Sequence, residues 1–423
     1  MLSSKDNELM CRTGPDLPMG KAMRHFWLPA LLSSELPEPD CDPVHVELLG
    51  ENFVAFRDSA GTVGLLDEMC CHRGVSLTLG RSENCGLRCI YHGWLFGADG
   101  TVLETPNIPD PNFKARFNAK AYPIREAGGV IWAYIGEPQN MPSFYDFPFL
   151  EAPASKVLPT VQVVNCNYVQ VLEGLLDSSH LSVLHISQFK DPSLPAIKFV
   201  QNTEHMQHNA APRIEVQETD FGLQYGAVRV SGEKAETNIT AFVSPFFILN
   251  PNDIYMAIVP MTDTKCAFYS IWYDGVRDYG AEPLRSEQLH TVGLDRLEEF
   301  GMTRQAAHTA AAPSRANGYL QDRAAMRAGH HTGLGSFVQE DAIICISAGG
   351  LRDRGYEHLG TADMAIAQMY RTLLKSARQV EAGGKPIAYQ ASVADLRGTR
   401  VSLPLDGDWR TVVPGNLVRA KVA

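Results

Sequence analysis

Nothing in this 423-residue chain reaches the run of roughly eighteen consecutive apolar residues that a membrane-crossing helix needs. The start is no substitute, because Lys5, Asp6 and Glu8 interrupt Met1 to Leu17, where a secretory signal would be apolar. A cytoplasmic location is expected. Basic residues are in deficit, 37 Lys and Arg against 48 Asp and Glu, for a formal net charge of -11. That balance argues against nucleic acid or an anionic membrane as the main partner. A disulfide framework is also missing: the nine cysteines are an odd number and, apart from Cys70, Cys71, Cys85 and Cys89, lie far apart. The chain contains no G-x-G-x-x-G fingerprint, no G-x-S-x-G, no H-E-x-x-H and no internal repeat. Nucleotide binding and the common hydrolase chemistries therefore lack support.

What is present is enough apolar chain for two cores. From about Val44 to Gly136, short apolar or alternating runs are broken by turns such as Asp58-Ser59-Ala60-Gly61 and Ala98-Asp99-Gly100, the pattern of a small all-β domain. The Pro-rich stretch Pro138 to Pro159 reads as a linker. Beyond it, Arg213 to Val230 and Ile254 to Tyr273 read as long antiparallel strands, with a hairpin turn at Asp220-Phe221-Gly222. Leu172 to His185 and Thr361 to Val380 read as helices, and Ala306 to Ala325 as a surface helix in preference to a mobile cover. The expected division is an N-terminal segment 1–40 packed on the catalytic domain, an all-β domain 41–140 and a catalytic α+β domain 141–423.

Within the β domain, Cys70-Cys71-His72 and Cys89-Ile90-Tyr91-His92 form C-x-H-x16-C-x2-H. Two thiolates can hold one iron of a 2Fe-2S cluster while two imidazoles hold the other, the Rieske arrangement. Structural zinc is the alternative, but zinc sites usually open with a Cys pair and close with a His pair, whereas each loop here gives one of each. Cys71 and Cys85 read as ordinary packed or surface thiols.

Further on, Glu173, Asp177, His180 and His185 give E-x3-D-x2-H-x4-H. Two histidines with a carboxylate form the facial triad of non-haem Fe(II) oxygenases. On a regular helix Glu173, Asp177 and His180 share a face, while His185 lies about 140° round the axis from His180. For both rings to converge, the helix must kink, bulge or end between them.

The two loops, Cys-x-His-Arg-Gly at 70–74 and Cys-x-Tyr-His-Gly-Trp at 89–94, resemble those of ring-hydroxylating oxygenases. Respiratory Rieske proteins carry an extra cysteine in each loop, at positions matching Val75 and Tyr91, and neither is cysteine here. The resemblance covers nearly the whole chain and is nearest the phthalate dioxygenase branch of Rieske non-haem iron oxygenase large subunits. It implies a Rieske β domain followed by a helix-grip, START-like catalytic domain with an antiparallel sheet. It implies a 2Fe-2S cluster on Cys70, His72, Cys89 and His92, and a mononuclear Fe(II) on His180 and His185. The carboxylate ligand comes from the late acidic motif Gln339-Glu340-Asp341, where Asp341 is the choice and Glu340 and Asp353 compete; His358 reads as structural. Asp177 would bridge His180 to His92 of the partner subunit, in a head-to-tail homotrimer or stacked hexamer. An NADH-dependent flavin and iron-sulfur reductase would supply electrons.

The implied activity is dihydroxylation of an aromatic, carboxylated substrate with O2, within aromatic catabolism. Monooxygenation with O- or N-dealkylation is the alternative; a Rieske electron carrier or a ligand-binding helix-grip protein is the other. Members acting on phthalate look to hold its carboxylates with paired arginines, whose counterparts here, His205 and Asn238, supply no obligate cation. A monocarboxylate or neutral aromatic is therefore expected ahead of a dicarboxylate.

Overall fold

The computed structural model describes residues 2–191, 206 and 209–413. Its strands form four antiparallel sheets among the described residues. Two small sheets build the cluster-loop region: Val44–Leu48, Glu51–Arg57 and Val63–Asp67 in one, and the short strands Arg81–Glu83, Gly86–Arg88, Leu95–Phe96 and Val102–Glu104 in the other. Between them lies a separate apolar core that includes Val54, Phe56, Leu66, Leu87, Trp94 and Phe96. Cys70 and Cys89 sit in this same core.

A third sheet joins Leu28–Leu32 to Val130–Ala133 and Ile124–Ala127. Leu28, Ile131 and Trp132 of this sheet are buried in the large core of the remaining chain. The segment expected to be a linker is also anchored there, since Phe147 and Phe149 are buried and Phe147 packs edge-on against Phe247 and Tyr255. Pro-rich sequence restricts backbone freedom, and here it carries aromatic side chains into a core.

The large sheet is eight-stranded. Arg213–Thr219 turns into Gly222–Ser231 through Asp220 and Phe221, the hairpin expected from sequence. Gly222 has φ +143°, and a Cβ there would stand 2.4 Å from the Phe242 carbonyl, so only glycine fits the turn. The long helix Met364–Glu381 buries Ala365, Ile366, Met369, Tyr370, Leu373 and Ala377, spaced to give one apolar face, against this hairpin and the N-terminal helices. The N-terminal helix Ser4–Cys11 is tied to the same region through Asn7, which donates to Arg352 O (2.9 Å) and accepts from Arg354 Nη1 (2.9 Å).

Two helical expectations need correction. Residues 306–325 are not one surface helix but a series of short 3-10 turns, Ala306–His308 and Arg315–Leu320, ahead of the five-residue helix Arg323–Arg327. Pro313 and Gly318, in a stretch otherwise rich in alanine, break the repeat. The helix expected to run from Leu172 to His185 instead spans Tyr168–Leu176.

Candidate metal centres and substrate cleft

The two cluster loops are local copies of one turn. In the first, Cys70 N donates to Val75 O (2.9 Å) and Gly74 N to Cys70 O (2.8 Å); in the second, Cys89 N donates to Trp94 O (2.8 Å) and Gly93 N to Cys89 O (3.0 Å). Both glycines have positive φ, +71° and +74°, and a Cβ on Gly93 would lie 2.9 Å from Pro106. The turns hold the thiols of Cys70 and Cys89 side by side in the core, while His72 and His92 sit at its edge with ring centroids 4.6 Å apart. His72 stacks on Trp94, whose Nε1 donates to Asn107 Oδ1 (2.8 Å). The set fits an iron-sulfur group on its own chemistry: His92 Nδ1 is buried without a partner. Burial, reinforced by the neighbouring Cys89, pushes the Cys70 thiol up to about 11 although the His72 backbone N–H acts in the opposite sense. Two adjoining thiolates are stable there only with cations between them. Cys71 and Cys85 are exposed and outside this set.

At the second centre the helix stops at Leu176 because Asp177 offers its backbone an alternative. Asp177 Oδ1 accepts from Ser179 N (2.7 Å) and from the Ser179 hydroxyl, a local turn that competes with helix continuation. The fully buried Arg229 secures that turn, donating to Ser178 O (2.7 Å) and Ser178 Oγ (3.2 Å). His180 begins a 3-10 turn and His185 lies just before the next short helix. The chain break needed for convergence therefore comes earlier than expected, and Glu173 does not share the site. It is bound instead by Arg352, Arg354 and Tyr370 in a buried network.

Asp341, on the helix Phe337–Ser347, closes the group. Its Oδ1 is 3.1 Å from His185 Nε2 and 3.6 Å from His180 Nε2, and the three side chains can present ligand atoms all within 4.8 Å of one another. Behind each ring stands a further acid. His185 Nδ1 is 2.8 Å from Glu340 Oε2, and His180 Nδ1 is 3.6 Å from Asp177 Oδ2. Both rings thus turn Nε2 towards Asp341 and Nδ1 towards a second carboxylate, the pattern that fixes tautomer and orientation in histidine-metal sites. Burial alone would depress the His185 imidazolium, but Asp341 and Glu340 raise it to about 9. Burial alone would raise Asp177, yet His180 and Ser179 lower it to about 2. Of the competing acids, the wholly buried Glu340 also accepts from Thr332 Oγ1 (2.5 Å). Asp353 is exposed and caps Gly355 N (2.8 Å), and His358 is exposed.

Asp177, His180, His185 and Asp341 open onto a cleft of about 1010 Å³ of empty space, part of it continuous with solvent. One side is the large sheet, contributing Tyr225, Asn238, Thr240, Met256, Phe268 and Trp272; the other carries Leu175, His180, His185, Phe337 and Asp341. Sequence reasoning missed Arg400, which lines the cleft and donates from Nε to Asn238 Oδ1 (2.9 Å). No local motif marks it, since its partner lies 162 residues away. His205 lies outside the described residues.

The chain matches two families, the Rieske [2Fe-2S] domain over residues 26–123 and the LigXa C-terminal domain-like family over residues 133–419. It is 35% identical to the phthalate 4,5-dioxygenase oxygenase subunit of Pseudomonas putida, over 97% of this chain and 94% of that one. It is 34% identical to the 3-chlorobenzoate-3,4-dioxygenase oxygenase subunit of Comamonas testosteroni, over 91% and 90%. Its fold is similar to that of dicamba monooxygenase bound to dicamba, with a TM-score of 0.58 at 20% identity, covering 85% of this chain and 98% of that one. The chain therefore belongs to the large subunits of Rieske-type aromatic oxygenases, with a Rieske 2Fe-2S cluster and a mononuclear non-haem iron as its cofactors.

Proposed function

We propose that this chain is the terminal oxygenase that dihydroxylates an aromatic carboxylate, with Cys70, His72, Cys89 and His92 holding the cluster and His180, His185 and Asp341 the mononuclear iron. The observation that carries this reading is the convergence of His180 Nε2, His185 Nε2 and Asp341 Oδ1 at the wall of a largely apolar cleft. Two imidazoles and one carboxylate on one side of an ion leave its other side to reactants. When bound, the cluster supplies electrons and the mononuclear iron the redox chemistry towards dioxygen.

The chain's own residues do the rest. Glu340 and Asp177 orient the two rings from behind. Leu175, Phe268 and Phe337 shield the reacting region from water and give an aromatic ring an apolar bed. Phthalate and 3-chlorobenzoate, named for the relatives above, are both aromatic carboxylates, which supports that substrate class.

We assign the assembly to a head-to-tail ring, a trimer or stacked hexamer, in which Asp177 meets the partner subunit's His92. Support comes from the apolar side chains that flank the cluster histidines: Met69, Ile90 and Tyr91 are more than half exposed, at 53%, 56% and 51%. Unburied apolar side chains grouped at a redox centre fit a subunit contact. A separate NADH-dependent reductase is the electron source in this reading. A cytoplasmic setting accords with nine cysteines that form no disulfide.

The reduced protein, incubated with aromatic carboxylates and aryl ethers under oxygen-18 gas, tests the proposal by product mass. Two labelled atoms in one product establish dihydroxylation. One labelled atom with a shortened substrate overturns it in favour of dealkylating monooxygenation.

A further inference from the structure

A second, smaller space adjoins the cleft behind Asp341. Two helices and the large sheet enclose it. Val171, Gly174 and Leu175 share one face of the helix Tyr168–Leu176, at i, i+3 and i+4. Cys345 comes from the helix that carries Asp341, one turn further on, and the sheet contributes Phe268. Gly174, Leu175, Phe268 and Asp341 line the cleft as well, so the pocket opens into it beside the metal triad.

Its size and its wall restrict what it can hold. The centre of a water-sized molecule can move through only about 10 Å³ here, the space of one such molecule. A substituted aromatic ring is far too large. Water is poorly served, because almost all of the surface facing the pocket is apolar and a buried water needs polar partners on more than one side. Dioxygen is small and non-polar, and the oxygenases to which this chain belongs consume it.

Glycine at 174 is explained neither by backbone conformation nor by crowding. It lies inside a helix, where glycine is the least favourable residue after proline, and its φ is not positive. The nearest described atom to a Cβ built there, beyond its own helix, is Cys345 Sγ at 3.9 Å, so alanine fits. What a methyl group takes away is space where the pocket meets the cleft.

We propose that this side pocket is a holding site for dioxygen, kept open to the cleft by the missing side chain of Gly174. The inference rests on the oxygenase reading above and deepens it. The aromatic occupies the wide cleft, and the gas has a separate place beside the triad that the aromatic cannot fill.

The test uses crystals of the holoprotein pressurised with krypton, a non-polar scatterer, in wild type, Gly174→Ala and Val171→Ile. Krypton is expected between Leu175, Phe268 and Cys345 in wild type and absent from both variants. No krypton in wild type overturns the pocket, as does a water fixed there between Asp341 and Gln162, whose Oε1 is buried without a partner. In solution, single-turnover oxidation of an aromatic identified by the oxygen-18 assay is followed at graded oxygen concentrations. Gly174→Ala is expected to slow it about 5-fold at low oxygen, the partition of a molecule one or two methylenes in size into an apolar site, with the difference closing at high oxygen. Its thermal midpoint is expected to rise, as alanine favours the helix. Should the midpoint fall instead, Val171→Ile decides by the same oxygen dependence. The two readings fail differently. Krypton in the pocket with no aromatic oxidised at any oxygen level sinks the oxygenase reading and dioxygen as the guest with it, whereas oxidation whose oxygen dependence is unchanged in the variants sinks the holding site alone.

Discussion

The two metal regions of this chain are built on opposite plans. Each cluster loop is a single tight turn, its hydrogen bonds closing within five residues and its glycine supplying the backbone conformation. The site proposed for the mononuclear iron is a meeting of distant segments: His185 and Glu340, bonded to each other, are 155 residues apart. A locally determined site is robust to changes elsewhere in the chain. An assembled one depends on every element that delivers a ligand, and so has more places where an indirect substitution reaches the chemistry.

That contrast is testable by taking each centre apart separately. His180→Ala is expected to lose mononuclear iron and abolish turnover while the cluster's optical spectrum persists, and Cys70→Ala to do the reverse to the spectrum. Metal analysis beside absorbance checks both, and loss of the cluster spectrum in His180→Ala would show the two centres to be interdependent. Next in size, Asp177→Asn is expected to leave both metals bound while turnover falls about 100-fold, measured under single-turnover conditions with a pre-reduced cluster. Undiminished turnover would remove Asp177 from the electron path.

Glu340→Gln probes the assembled character of the iron site at one remove. Losing the charge behind His185 is expected to weaken iron retention against a chelator by about 10-fold, with the cluster unaffected. The smallest effect belongs to the local turn. Gly93→Ala places a Cβ at φ +74° and 2.9 Å from Pro106, and the left-handed backbone alone costs roughly 1–2 kcal/mol. Earlier thermal bleaching of the cluster, with iron retained at His180 and His185, is the expected readout. Equal loss of both would mean that the two regions unfold as one.

Much of this was legible before any coordinates. The all-β region, the hairpin at Asp220-Phe221 and the apolar face of Met364–Glu381 follow from patterns of two or 3.6 residues and from turn-forming residues, which act over short range. The need for a break between His180 and His185 followed from helix geometry alone. Its position did not, because the turn that Asp177 forms with Ser179 competes with a helix by a margin that pattern cannot weigh. The long helix expected at 306–325 failed for a related reason: alanine favours a helix, but Pro313 and Gly318 divide it.

The sequence by itself pointed to the cofactor chemistry: residue types at fixed local spacing favour a 2Fe-2S cluster over zinc, and the resemblance of its motifs to those of ring-hydroxylating oxygenases adds the mononuclear iron. Only the tertiary structure separates Glu340 from Asp341, neighbours on one helix turn. It sends Asp341 to the ring nitrogens that face the cleft and Glu340 behind His185. It also brought Arg400 to Asn238 across a strand pair. Both outcomes depend on which faces of a helix and a sheet are packed together, and that is a property of the whole fold, carried by contacts between residues far apart in the chain.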